Sequence, residues 1–184
     1  MDPSFVDCSC PISGCPVIGS SEIIYAHCKM MHNHSVTNFD FDSSFVVSLR
    51  VDYESFVVLQ ENNSNAVFVL HNNSQPTGNI LTLSRLAPSS SSPHYFVIEK
   101  KFSDGRCIKV ESFAGNFQSI EAYNRPPVAT VFGGSCTFVA ECFTNLDIIV
   151  YADTARLIDP PLQDDSDSDS DSGYLVFTVY TVSW

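Results

Sequence analysis

The chain has 184 residues, nine Lys and Arg against 21 Asp and Glu, and a formal net charge of −12. This balance argues against a nucleic-acid partner, because a phosphate backbone would be repelled, and favours neutral or basic peptides. No run approaches the ~18 apolar residues of a membrane span. The first residues, Met1 to Asp7, lack the basic flank and apolar stretch of a signal peptide. A cytoplasmic or nuclear, reducing location is therefore expected. The seven cysteines then read as thiols or metal ligands rather than a disulfide set.

Residues 1–34 hold four of the seven cysteines and three of the five histidines. Ser20 or Ser21 can cap a helix in which Ile23, Ile24, His27 and Met31 recur at helical spacing. The helix is expected to end near His32. The arrangement Cys8-x6-Cys15-x11-His27-x4-His32 places a Cys pair on a turn, with Gly14 and Pro16 beside Cys15, ahead of a His pair on a helix. Four such ligands make a closed tetrahedral zinc site, structural rather than catalytic. Cys8 and His32 are the preferred members. Cys10 is an alternative to Cys8, giving a Cys-x4-Cys pair, and His34 is an alternative to His32. Cys28, next to His27, is expected to point elsewhere on the helix.

The rest of the chain reads as short apolar runs between polar turns. Strands are expected at 45–51, 56–60, 66–71, 79–86, 95–100, 107–113, 137–143, 146–151 and 174–182. Turn clusters fall at 61–65, 72–78, 88–93, 103–105 and 124–127. Strands at this spacing without intervening helices predict an antiparallel sandwich or barrel. The tract 163–173 is a run of Asp and Ser whose self-repulsion predicts a disordered acidic loop before the last strand. Its serines, each flanked by acids, suit an acidophilic kinase, although a plain solvated loop is the favoured reading.

The run from Cys8 to Cys15, then Ile18 to His27 and His32, resembles the second zinc finger of the seven-in-absentia (SINA/Siah) ubiquitin ligases, the plant SINA-like members above all. The resemblance continues through Phe45-Val-Val-Ser-Leu-Arg-Val, Phe56-Val-Val-Leu-Gln-Glu-Asn, Ala66-Val-Phe-Val-Leu-His-Asn-Asn and Gly78-Asn-Ile-Leu-Thr-Leu-Ser. It weakens after about residue 115. It implies a mainly β chain: a SIAH-type finger at 1–36, then a TRAF-like antiparallel β-sandwich of about eight strands at 43–184. It further implies one structural Zn2+, recognition of extended peptide segments of substrate proteins, dimerisation and a role in ubiquitin-dependent degradation. The peptide would lie along strands 45–51 and 56–60.

In that family a RING domain recruits the ubiquitin-conjugating enzyme. Seven residues precede Cys8, and the cysteines outside the finger are too scattered for the eight ligands of a RING. The expectation is that this chain does not promote ubiquitin transfer alone. It would be either the recognition and dimerisation module of a ligase or a RING-less regulator that pairs or competes with full-length SINA ligases. No Gly-x-Ser-x-Gly, P-loop or dinucleotide fingerprint occurs. The Gly-rich run Phe132-Gly-Gly-Ser-Cys136 reads as a turn into a strand rather than a cysteine-hydrolase site.

Overall fold

Residues 66–70, Ala-Val-Phe-Val-Leu, are apolar at every position. A strand of this kind needs both of its faces covered. In the computed structural model, which describes residues 7–50, 55–75, 78–88, 90–102, 105, 107–118, 130–131, 144–152 and 175–178, that requirement is met. Successive residues of the strand enter two different cores. Ala66, Phe68 and Leu70 enter one, and Val67 and Val69 enter the other.

The described residues open with a two-stranded ribbon, β1 (Cys8–Ser9) and β2 (Ile18–Gly19), followed by helix α1 (Ser21–Met31). The strands that follow are β3 (Val36–Phe39), β4 (Phe45–Leu49), β5 (Phe56–Glu61), β6 (Val67–Gln75), β7 (Gly78–Leu86), β8 (His94–Lys101) and β9 (Cys107–Phe117). Then come β10 (Thr130–Val131), β11 (Thr144–Val150) and β12 (Leu175–Thr178). Eight of them form one continuous hydrogen-bonded path, β3-β5-β6-β7-β9-β8-β11-β4, with β10 on β7 and β12 on β9. The path folds over at β9. Its first part pairs antiparallel with β8, from Cys107 to Ala114, and its end pairs parallel with β7, from Gly115 to Phe117.

The two halves of the path face each other across the larger core. Phe39, Leu59, Phe68, Leu70 and Leu83 of the first half meet Val47, Leu49, Phe96, Ile98, Val110, Leu146, Ile148 and Val150 of the second. One end is closed by rings. Phe39 stacks on Phe45 at 4.8 Å, and Phe41 stacks on His94 at 5.1 Å. The His94 Nδ1 proton is donated to the Tyr151 carbonyl at 2.9 Å, and burial lowers the pKa of its ring. A neutral imidazole therefore sits inside the aromatic cluster.

The mainly β reading holds, and several boundaries move. Val36–Phe39, where no strand was expected, is a strand paired parallel with β5. The hairpin expected to turn over 72–78 instead carries strand pairing out to Gln75 opposite Gly78. β9 runs four residues past the expected end at Phe113. The pairing is mostly antiparallel, with parallel exceptions at β3–β5, β7–β9 and β9–β12. At 61–65 the expected turn forms. The Glu61 carboxylate accepts from the backbone N–H groups of Asn63 and Ser64, and Asn65 adopts φ 57°, a left-handed conformation Asn tolerates. The expected strand at 137–143, the turn at 124–127, the Gly-rich run 132–136 and the acidic loop at 163–173 lie outside the described residues.

The second, smaller core joins the N-terminal unit to the outer face of the first half-sheet. Cys8, Cys10, Ile24, Tyr25 and Cys28 pack against Val58, Val67, Val69, Leu86 and Phe117. Polar contacts fix the docking. Ser9 N–H donates to the Gln118 carbonyl at 2.8 Å, Gln60 Nε2 to the Tyr25 carbonyl at 3.0 Å, and Tyr25 Oη to the Asn62 carbonyl at 3.1 Å.

Candidate metal centre

The ribbon and the helix bring four donors to one point. Antiparallel pairing of Cys8 with Gly19 and Ser9 with Ile18 sets up a hairpin whose loop begins at Cys10. Cys10 N–H bonds the Val17 carbonyl at 2.9 Å, and Cys15 N–H bonds the Ile12 carbonyl at 3.1 Å. Gly14 supplies the positive φ of 77° that the loop requires before Cys15. Gly19 permits the close approach of β2 to α1, since a Cβ there would stand 2.8 Å from the Ile23 side chain.

Helix α1 starts at the Ser20 cap, whose hydroxyl accepts from the Ile23 N–H at 3.4 Å. Its C-cap is His32, with φ −130° and ψ 22° and its N–H bonded to the Cys28 carbonyl. Five residues turn an ideal helix about 140° past one full turn, so His27 and His32 would diverge on a continuing helix. The chain leaves helical geometry at His32, and its ring returns beside His27, with centroids 4.8 Å apart and planes at 79°.

The donor atoms of Cys10, Cys15, His27 and His32 all lie within 4.8 Å of one another. His27 Nε2 is 3.1 Å from Cys15 Sγ and 3.1 Å from His32 Nε2. A ring nitrogen carries one proton or one lone pair, so it cannot serve both neighbours as ordinary hydrogen bonds. A shared cation would account for the convergence. Tetrahedral zinc, about 2.3 Å from sulfur and about 2.0–2.1 Å from nitrogen, implies ligand-to-ligand edges of roughly 3.3–3.8 Å. The observed group is close to that size, and its two thiols and two imidazoles are the donor chemistry zinc takes.

Three of the four expected ligands, Cys15, His27 and His32, are in this group, while Cys8 is outside it and Cys10 takes its place. The reason is the ribbon. Cys8 lies two residues, about 6.6 Å, further from the loop than Cys10, on the same strand face. It is fully buried among the apolar residues against the sheet, and burial raises its thiol pKa. His34 is exposed and apart from the group. Cys28, expected to point elsewhere on the helix, is outside the donor group. It is fully buried beside Cys10, and burial together with that neighbour pushes its thiol up to about 12. One signal favoured Cys10 in advance: the Cys10-x4-Cys15 gap falls within the usual two-to-four window, and the x6 gap from Cys8 does not.

Over 88 residues the chain is 26% identical to SINA-like 6 of Arabidopsis thaliana, a protein whose name assigns it provisionally to the E3 ubiquitin-protein ligases. The matched stretch is 47% of this chain and 31% of that relative, so it spans less than a third of the relative's length. No protein-family model matches the chain. Among the described residues no helix is long and apolar enough to cross a membrane.

Proposed function

We propose that this chain is a zinc-stabilised recognition and dimerisation module of the seven-in-absentia type, acting in ubiquitin-dependent protein degradation. The observation that carries the reading is the convergence of Cys10, Cys15, His27 and His32 on one point, in a unit seated on a β-sandwich. The distant likeness to a SINA-like ligase supports it. The four donors leave no coordination position for water, so the ion would hold structure rather than activate a substrate.

The edge of the second half-sheet supports the recognition role. Among the described residues β4 pairs only with β11. Its other side offers backbone donors and acceptors to an extended peptide, with Val46 and Ser48 exposed beside them. By contrast β5, expected beforehand to share this role, is flanked by β3 and β6 and has no free edge. The test is a pull-down with an extended peptide that full-length SINA-type ligases recognise. Retention of the chain on the peptide above background is expected. No retention, with the zinc content intact, would overturn the recognition role.

A further inference from the structure

Of the ten prolines in the chain, only Pro93 follows a Ser or Thr, so Ser92-Pro93 is its single Ser/Thr-Pro step. A proline-directed kinase selects such a step, because proline has no N–H to leave unsatisfied in the cleft. Ser92 and Pro93 are both exposed, and they lie in the turn between β7 and β8, outside the strand ladder. The turn is folded, with the Ser91 N–H bonded to the Pro88 carbonyl at 2.9 Å.

The fold brackets this step with one cation. Arg85 of β7 is paired on one side with Phe68 of β6 and on the other with Asn116 of β9. Both neighbours hold the turn. The Phe68 ring lies 5.4 Å from the ring of His94, the residue after Pro93. Asn116 Nδ2 donates to the carbonyl of Ser91, the residue before Ser92, at 2.6 Å. Ser92-Pro93 is thus anchored at both ends by the cross-strand neighbours of Arg85. The Arg85 side chain is half-buried, and among the described residues its Nε finds no hydrogen-bond partner. Burial lowers its pKa, and Glu22 only partly opposes this. From Leu86 to Glu99 the chain has no other Lys or Arg.

We infer that Ser92 is a phosphorylation site for a proline-directed kinase, and that its phosphate folds back onto Arg85 and pins the β7–β8 turn against the end of the sandwich. The Ser92 Oγ attacks the γ-phosphorus of ATP, the bond to the β-phosphate oxygen breaks and ADP leaves, and the hydroxyl proton passes to the kinase's base. The phosphate supplies what Arg85 lacks, an anion whose three acceptor oxygens suit a planar fork of donors. Arg85 lies one strand spacing, about 4.8 Å, from Asn116 and the turn that Asn116 holds, within the reach of an arginine. The inference rests neither on the metal centre nor on the β4 edge.

The experiment treats the full chain with a proline-directed Ser/Thr kinase and ATP, beside a peptide of residues 86–98 as control substrate. Mass spectrometry maps the phosphate, and phosphorus NMR follows its titration. One phosphate on Ser92, absent from Ser92→Ala, is the expected result. Its second pKa should lie below the ordinary value of about 6, because a guanidinium favours the dianion, and should return to about 6 in Arg85→Gln. Amide exchange at Ser91 and Ser92 should slow about tenfold on phosphorylation of the wild-type chain and stay unchanged in Arg85→Gln. Arg85→Lys, which keeps the charge without the fork, should give an intermediate shift and replaces Arg85→Gln if that variant does not fold. An unmodified Ser92 in the folded chain would overturn the site, and modification of the peptide alone would show that the fold shields it. Phosphate on Ser92 with an ordinary titration and unchanged exchange would overturn the pairing with Arg85.

Discussion

The N-terminal unit and the sandwich are stabilised by different means. Among the described residues the sandwich encloses a core of 16 buried residues, from Phe39 of β3 to Val150 of β11. The N-terminal unit spans one helix and a ribbon of two-residue strands, and among the described residues its own buried apolar side chains are few: Ile24, Tyr25 and three thiols. Part of its surface stays apolar and exposed at Ile18, Ile23, Met30 and Met31. A segment this small lacks the buried area to fold alone. Two things substitute for a core: the donor cluster at one end and the outer face of the β5–β6–β7 sheet beneath it. The comparison teaches that the donor cluster and the sheet share the same few side chains, since Cys10 belongs to the donor group and also to the shared core.

The strongest way to break this comparison is to remove the metal. Zinc-dependent folding is worth on the order of 10 kcal/mol in units of this kind. Chelation or Cys15→Ala should therefore abolish amide protection in α1 while β6 and β8 stay protected. Hydrogen exchange measures both, and equal loss in β6 and β8 would show the two regions to be one cooperative unit. In the sandwich, Phe68→Ala should cost about 3–5 kcal/mol by denaturant unfolding. The folded variant should keep its zinc.

At the seam, Ile24→Ala should cost about 2–4 kcal/mol and lower the protection of α1 more than that of β8. Acidification gives a smaller effect. Burial lowers the His71 pKa from 6.5 to about 4, so the unfolded chain takes up that proton first. The associated stability is complete above pH 6.5 and is lost as pH falls toward 4, by about 1–3 kcal/mol. His71→Asn should show a correspondingly shallower decline, which separates this term from protonation of the metal ligands. Smallest is Tyr25→Phe, which deletes the bond to the Asn62 carbonyl and should cost about 1 kcal/mol.

Much of this was legible in the residues. The strands β5 to β8 and β11 follow their apolar runs, and α1 follows its cap and helical spacing. The two-face burial of β6 was also written in Ala66–Leu70. The contrast with β4 is informative, because Val46 and Ser48 are exposed while Val47 and Leu49 are buried. A continuous run marks the half-sheet that carries a second layer, and an alternating run marks the solvated half. β3 was not legible. Val-Thr-Asn-Phe is short and half polar, and its pairing with β5 depends on the fold of the whole sheet. The choice between Cys8 and Cys10 turned on which residue ends the ribbon. Alternation gives both the same strand face, so only the register of β1 against β2 separates them.

The most direct test is metal content and cobalt absorption of the wild-type chain beside Cys10→Ser and Cys8→Ser. One zinc per chain, replaceable by cobalt with the visible bands of a tetrahedral two-sulfur, two-nitrogen site, lost in Cys10→Ser and kept in Cys8→Ser, is the result expected from this geometry. A wild-type chain without metal, or one whose binding survives Cys10→Ser but not Cys8→Ser, would contradict it.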